Sequence, residues 1–573
     1  MVARSHAARY LREMALAMEL LGEAPGVPQT LSAAARQVLA LSAERWRQWV
    51  AGNAVERLGL SDESLRDLGN FARHARRTPL DTLQLRIPPG LYELLGLPGL
   101  GPQRVRRLWH EAQIVSVKQL HRACRRRHLA GISGFGPGLE ARFLDALEGL
   151  RRSQGRWLRN EALRIARRRE AKWRPAAGLD RLAWAGEARR AWETVGLLTW
   201  VAAAANPEAA LGRLSLQPGA RLAGTPPDRV VWTPPGEPRQ EVIVVEAERF
   251  AARWFLETGD PAHTTAFLQR LAEINPAATP LELGLPTSEE DLYAQAELPW
   301  IPPALREGRG EIAAAAAGRL PTLIRARDLR GVFHVHTEWS DGRASIAEVA
   351  SAGARLGWDY IGIADHSQSA YYARGLTPER LAAQAAEVRR VAAGIPGVRL
   401  FHGVECDILP DGSLDYTDAQ LRSLDYVIAS IHSVTAMSRE AMTARVVRAL
   451  RHPAVRMFAH PSGRLLLQRP ACALDWPAVF GTAAEMGVAI EFNTTPDRLD
   501  LDWRLIRTAT EQGVRLVVNP DAHRLAALEM VGEGLETATK GWLTPEQVIN
   551  TRSAEAMEDW LHATRSGSPE TDV

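Results

Sequence analysis

At 573 residues the chain can hold three or four domains that each bury a core, and its hydrophobic and charged fractions of 46% and 24% are ordinary for a globular protein. The formal net charge is only +3, and arginine carries nearly all the basic character, since the only lysines are Lys118, Lys172 and Lys540. Three distant cysteines (Cys124, Cys406, Cys472), no apolar leader in Met1–Glu23 and no bilayer-length run argue against a disulfide scaffold or membrane protein and predict a cytoplasmic one.

Residues 1 to about 80 have helical spacing, in ARYLREMALAMELLGE, TLSAAARQVLALSAERWRQWVAG and SDESLRDLGNFARHARR. LYELLGLPGLGPQRVRRLWHEA, from Leu91, and HLAGISGFGPGLEARFLDALEGL, from His128, then repeat one pattern. Each has an apolar helix end, a Gly-φ-Gly turn (Gly99-Leu100-Gly101; Gly134-Phe135-Gly136) and a further helix. The pair resembles tandem helix-hairpin-helix motifs, whose glycines permit a tight turn and whose backbone N–H groups can hold a phosphate. Arg104, Arg106 and Arg107 follow the first turn, and Arg125, Arg126 and Arg127 precede the second. A Gly turn between packed helices is the plain alternative; two turns flanked by arginines favour DNA, held without sequence readout. RRSQGRWLRNEALRIARRREAKWR, from Arg151, is basic on nearly all sides and could be a solvated linker helix. Residues 176–325 read as mixed α/β.

From Gly331 to His523, strand-like runs rich in Val, Ile, Leu and aromatics end in histidines and acids. They are GVFHVHTEWSDG, YIGIADH, VRLFHGVECD, YVIASIHS, VRMFAHPSGR, VAIEFNT and VRLVVNPDAH. Amphipathic helical patterns such as SIAEVASAGARLG, TPERLAAQAAEVRRVAA and SREAMTARVVRALR lie between them. Seven strand–helix units predict a parallel barrel, with chemistry at the C-terminal strand ends. One strand-end histidine is usually structural, but six of these runs deliver an imidazole or carboxylate to one face. Such ligands without thiolates suit Zn, Mn or Fe, and they outnumber one ion's needs.

HVHTEWSDG, ADH, GVECD, SIHS, AHPSGR and PDAH resemble the successive motifs of the PHP (polymerase and histidinol phosphatase) domain. The resemblance covers the last two-fifths of the chain and implies a distorted seven-stranded barrel binding three divalent metals, Mn²⁺ and/or Zn²⁺, with Mg²⁺ or Fe²⁺ also compatible. Its nine ligands carry over to His334, His336, Asp341, His366, Glu405, His432, His460, Asp521 and His523. Glu405 would bridge two metals, one shared with His334, His336 and Asp521 and the other with His432 and His460. Asp341, His366 and His523 would hold the third. Pro520 departs from the motif's usual serine at a position that is not a ligand.

Between hairpins and such a barrel, AGEARRAWETVGLLTW (Ala185–Trp200), VIVVEAERFAARWFLETGDPAH and EEDLYAQAELPWIPPALREGRGEI resemble the palm and thumb of bacterial family X DNA polymerases. The departures matter. Glu187 replaces the serine of the family's Gly-Ser-x-Arg-Arg stretch, its two metal-binding aspartates fall at Leu197 and Thr199, and the third aligns loosely with Glu241. Leucine cannot hold Mg²⁺, so the resemblance implies a dead polymerase site. No lysine precedes Lys118, so the Schiff-base lyase chemistry of some relatives lacks its nucleophile.

The expected architecture is multidomain α/β. It comprises a helical domain (1–85), a hairpin DNA-binding region (86–175), a degenerate polymerase-β-like α+β palm and thumb (176–325), a (β/α)7 PHP barrel (326–565) and a disordered tail (566–573). The leading function is a metal-dependent DNA phosphodiesterase, a 3′→5′ exonuclease acting in repair. Glu405 and Asp521 would lie at its reacting centre, Arg374 and Arg464 would clamp phosphate unless structural, and Gly99, Gly101, Arg104, Gly134 and Gly136 would hold DNA. Apurinic endonuclease or 3′-phosphatase chemistry fits the same centre. The alternatives are a small-molecule phosphatase of histidinol-phosphatase type and a non-catalytic DNA-end scaffold. Expected partners are gapped, nicked or primer–template DNA ends, for a monomer at the nucleoid.

Overall fold

The computed structural model describes Val2 and residues 4–563, apart from 24–25, 53–57, 75–77, 96, 98–99, 130, 133, 137, 141–142, 145–154, 225, 235, 275–285 and 436. The chain divides into two compact units, Met1–Arg152 and Ser153–Val573.

The first unit is helical, from Arg4–Leu21 to Val117–Arg125, around a core including Leu11, Leu31, Leu68, Leu108 and Leu120. The two turns have matching backbones. Leu100 N donates to Leu97 O and Phe135 N to Ile132 O, each at 3.0 Å. Val105 N donates to Gly101 O and Glu140 N to Gly136 O, again at 3.0 Å, opening the next helical turn. Gly134, at φ 85°, occupies the left-handed region that a side chain resists.

In the second unit, a five-stranded sheet runs in the order Arg181–Trp184, Leu197–Ala203, Arg239–Val245, Pro227–Trp232, Arg221–Gly224. Its central pair is parallel and the rest antiparallel. The helix Arg159–Ala177 lays Trp173 edge-on against Trp200 and Trp232, with ring centroids 5.1 and 4.9 Å away.

Seven parallel strands follow in sequence order: Gly331–Val335, Tyr360–Ile363, Arg399–Asp407, Tyr426–Ser430, Val455–Phe458, Ala489–Asn493 and Leu516–Asn519. They nearly close into a barrel, because His336 N donates to Ala522 O (2.9 Å) and Ala522 N to His334 O (3.0 Å). Alternate side chains divide the core, as a period of two requires. Val427 and Ala429 face the helices, while Tyr426 and Ile428 pack inward with Phe333, Phe401 and Met457. Gly403 makes room there, since a Cβ would meet the Tyr426 ring at 2.4 Å. Helix starts coincide with capping residues: Ser345 with Glu348 before Ile346–Leu356, Thr377 before Pro378–Gly394 and Ser438 before Arg439–Leu450.

The barrel does not stand apart from the sheet that precedes it. Glu193 accepts from Trp503 Nε1 at 2.9 Å and Arg504 Nη1 at 2.7 Å, and Thr537 Oγ1 donates to Ala191 O at 3.0 Å. The buried Lys540 ammonium donates to Arg190 O at 2.9 Å and to Glu307. Among the described residues, no helix is long and apolar enough to cross a membrane.

Candidate metal centre

The C-terminal ends of the barrel strands bring all nine sequence-predicted ligands together around Glu405, which is 1% exposed. His334 Nε2 lies 3.2 Å from Glu405 Oε1 and 3.4 Å from Asp521 Oδ1, while His336 Nε2 lies 3.2 Å from the same Asp521 oxygen. On the other side of Glu405 Oε1 are His460 Nε2 at 2.8 Å and His432 Nε2 at 3.1 Å. Asp341 Oδ1 is 3.3 Å from His523 Nε2 and 3.6 Å from His366 Nε2, and His366 Nδ1 reaches Glu405 Oε2 at 2.9 Å. Ligand atoms about 2.1 Å from one ion, at tetrahedral to octahedral angles, sit roughly 3.0–3.4 Å apart. These separations are therefore those of coordination shells, and four groups of three or four residues could each hold an ion.

Unsatisfied atoms in the same place point to the same use. His334 Nε2, both ring nitrogens of His336, His366 Nδ1 and Glu405 Oε2 are buried without a hydrogen-bond partner. Orphaned buried polar atoms cost about 1–3 kcal/mol each, and a cation held among these would satisfy several at once. The donor set fits divalent cations. His334, His460 and Asp521 also adopt φ of 57°, 26° and 47°, the left-handed region that a non-glycine residue enters only at a cost.

The electrostatics divide the donors into groups ready for a cation and imidazoles that must first give up a proton to it. Although burial opposes ionisation, neighbouring imidazoles hold Glu405 and Asp521 well below the usual carboxylate range and Asp341 at about 2. All three are anionic at neutral pH. Burial pushes His336 and His460 down to about 4, leaving neutral imidazoles. His334 and His432 are buried too, but their carboxylate neighbours outweigh this and raise them, His432 to about 10.

A further layer orients these ligands. Glu491, fully buried, lies 2.7 Å from His334 Nδ1 and accepts from His460 N (2.7 Å), Asn519 Nδ2 (3.0 Å) and Asn493 Nδ2 (3.1 Å). Asp407 faces His432 Nδ1 at 3.1 Å. Asp365 accepts from Thr337 N at 2.8 Å and Thr337 Oγ1 at 2.6 Å and from Ser340, tying down the loop that carries Asp341. Carboxylate-to-imidazole contacts of this sort set the tautomer and ring angle of a ligand. Sequence reasoning assigned no role to these three residues, although EFNT and ECD already put Glu491 and Asp407 at strand ends. It also missed Arg498, whose Nε lies 3.5 Å from Asp521 Oδ2.

The predicted phosphate-clamping arginines fare differently. Arg464 is 7% exposed and its guanidinium donates to Arg498 O (2.9 Å), Asp502 Oδ2 (2.7 Å) and Leu499 O. It fastens the 498–502 loop, each of its three nitrogens engaged once, which is the structural alternative raised for it above. Arg374 is exposed and donates to Ser340 O beside Asp341. Of the hairpin residues, Gly101, Arg104, Gly134 and Gly136 are on their two turns, and Gly99 lies outside the described residues.

In the five-stranded sheet, Leu197 and Thr199 pair with Arg239 and Glu241. Thr199 Oγ1 donates to Glu241 Oε1 at 2.9 Å, and Arg229 Nη1 is 3.5 Å from Glu241 Oε2. Glu187 accepts from Gly196 N at 2.8 Å and Arg156 at 3.0 Å. Arg189 grips Glu289 through two contacts of 2.7 Å, and Arg190 Nε is 2.9 Å from Glu307.

A family model described as PHP domain matches residues 333–460. The chain is 26% identical over 250 residues to a probable phosphatase of Syntrophotalea carbinolica, an alignment covering 40% of this chain and 94% of that protein. A probable phosphatase of Caldanaerobacter subterraneus is 28% identical over 258 residues, 41% of this chain and 93% of its own. The DNA polymerase/3′-5′ exonuclease PolX of Bacillus subtilis is 33% identical over 566 residues, covering 96% of this chain and 98% of that protein. That alignment takes in helical unit, sheet and barrel alike, and the chain belongs to the bacterial family X DNA polymerases that carry a C-terminal PHP domain.

Proposed function

We propose that the chain is a metal-dependent DNA phosphodiesterase, a 3′→5′ exonuclease of DNA repair, whose polymerase site is lost. The observation that carries the reading is the convergence of three anionic carboxylates and six imidazoles on one barrel mouth around Glu405. Three divalent ions, Mn²⁺ and/or Zn²⁺, are the proposed occupants: His334, His336, Glu405 and Asp521 for the first, Glu405, His432 and His460 for the second, and Asp341, His366 and His523 for the third. Such ions supply Lewis-acid polarisation of a phosphodiester and lower the pKa of water.

The chain's own groups do the rest. Glu491 and Asp407 hold His334 and His432 in the orientation the ions need. Arg374 is the proposed phosphate contact, with Arg498 taking the part first given to Arg464, because Arg498 Nη1 is buried without a partner beside Asp521. The hairpins, through Gly101, Arg104, Gly134 and Gly136, are the proposed contacts to duplex backbone. The five-part division at 85, 175, 325 and 565, a monomeric state and a place in the nucleoid complete the reading.

Loss of nucleotidyl transfer rests on one missing ligand and four contacts. Leu197 has no donor atom, Glu241 is already bonded to Thr199 and paired with Arg229, and Arg189 and Arg190, which would face a triphosphate, are engaged by Glu289 and Glu307. Relatives named as probable phosphatases support a second reading, a phosphatase of small phosphate esters. One experiment separates the readings: labelled primer–template DNA with Mn²⁺, with and without nucleotides. Shortening supports the nuclease, extension overturns the loss of polymerase activity, and no change on DNA with turnover of a phosphomonoester supports the phosphatase.

A further inference from the structure

The segment that follows the second barrel strand carries two tyrosines with no counterpart in the ligand chemistry. Tyr371 is 85% exposed and Tyr372 64%, among the most open large side chains of the described residues. Their rings meet edge-on at 5.9 Å, and the Tyr372 ring lies 6.4 Å from that of the ligand His366. Burial of its phenol, and after it the Asp407, Glu405 and Asp341 carboxylates, push Tyr372 up to about 12. Val434, 54% exposed two residues after His432, adds another apolar group to the same end of the barrel.

The turn that carries these rings is held, not loose. Leu376 N donates to His366 O at 2.8 Å, Gly375 N to Ala370 O at 3.0 Å and Ser369 N to Asp415 Oδ2 at 2.6 Å. Gly375 can close this turn only because it lacks a side chain, since a Cβ would sit 1.9 Å from Ser367 O. The turn is thus anchored at both ends to the backbone of a ligand. Exposed aromatic surface next to a charged centre is unfavourable in water and gains only when something flat covers it. An aliphatic phosphate ester offers nothing flat to cover it. A nucleobase does, because every base has a π-face and edge-to-face rings leave a tyrosine face open.

We propose that Tyr371 and Tyr372 form a stacking platform for the terminal base of an unpaired DNA strand, and so position its last phosphodiester at the metal centre. The inference rests on the nuclease reading and adds to it the side chains that would hold the strand's end. In a duplex the terminal base is already stacked and paired. Drawing its phosphate into the barrel mouth breaks both interactions, and the tyrosines replace the stacking alone. Frayed or single-stranded ends therefore bind better than blunt ones.

The test uses full-length protein with Mn²⁺ and two oligonucleotides with single-stranded 3′ ends, one complete and one lacking its terminal base. Wild-type protein is expected to show a lower KM for the complete end. The double variant Tyr371→Ala/Tyr372→Ala is expected to raise that KM about tenfold to hundredfold, with kcat and bound metal little changed and the KM for the abasic end unmoved. Tyr371→Trp and Tyr372→Trp should keep the low KM. If wild type shortens both strands with equal KM, or the double variant leaves KM unchanged, the platform is refuted while the nuclease reading stands. If wild type shortens neither strand, the nuclease reading itself fails.

Discussion

Glu491→Gln is the sharpest probe of how the candidate metal centre is built, because it keeps size while removing the charge and turning one acceptor oxygen into a donor. Glu491 is fully buried and each of its oxygens faces two donors: His334 Nδ1 and Asn519 Nδ2 at 2.7 and 3.0 Å, His460 N and Asn493 Nδ2 at 2.7 and 3.1 Å. A glutamine must turn its NH₂ toward one pair, where donor meets donor. Losing a hydrogen bond to a buried charged acceptor costs about 1.5–3 kcal/mol. If that cost falls on ligand orientation, it corresponds to roughly a 10- to 100-fold loss of metal affinity. The assay is DNA hydrolysis across a Mn²⁺ titration, with metal content measured after dialysis against graded chelator. The expected result is a half-saturating Mn²⁺ concentration raised 10- to 100-fold, with kcat largely restored at saturation. Wild-type half-saturation and retention of metal, in a variant with native circular dichroism, would refute the orienting role.

Glu405→Ala removes the carboxylate common to two of the proposed ion sites; it should lose bound metal and cut hydrolysis by several orders of magnitude, and near-native nuclease activity would sink the assignment. Purified protein should add no nucleotides to a primer with Mg²⁺ or Mn²⁺, whereas extension abolished by changing Glu241 but untouched by Glu405→Ala would restore the polymerase. Deleting 1–152 should weaken DNA binding and flatten its salt dependence while sparing hydrolysis of a small chromogenic phosphodiester; unchanged affinity and slope would remove the hairpins from DNA binding. Burial raises Asp500 to about 6 from 3.8, so the folded chain holds its proton where the unfolded chain releases it, and this group's contribution to stability falls as pH rises through that window. Asp500→Asn should flatten that fall, by up to about 3 kcal/mol, in chemical denaturation at pH 4 and pH 7; an unaltered pH slope would count against it.

The metal ligands were legible because a parallel strand buried on both faces leaves little choice of where its polar end points. Val332, Val335, Ile361 and Ile363 bury the strands, so His334, His336 and His366 can only gather at the mouth. Glu491 was harder. It stands on a strand like the others, yet what makes it a positioning residue is its reach to His334 and His460, 157 and 31 positions away. Arg464 stayed open between clamp and structural arginine for a similar reason. Its place in HPSGR next to His460 suggested a substrate contact, and only the fold of 498–502 around it reveals where its donors go. The hairpin repeat was visible from its glycines, of which Gly134, at φ 85°, is required by backbone shape rather than by partners.

The proposed loss of polymerase chemistry raises the question of why the sheet remains, and the packing answers it. Trp192 and Trp503 meet edge-on at 5.9 Å, with the Lys540 ammonium 5.2 and 4.6 Å from their rings. Burial brings Lys540 down to about 8, and Glu307 pulls against that shift. Glu193, 6% exposed, receives Trp503 and Arg504 from the barrel. Stripping one partner from a buried charged pair costs about 3–5 kcal/mol, a large part of a domain's whole stability. The carboxylates that nucleotidyl transfer requires make no such contacts, and their positions hold Leu197 and Thr199 without consequence for the barrel. Residues 190–193, 307, 503 and 540 thus tie the segments flanking the sheet to the barrel, and that role is independent of any nucleotide.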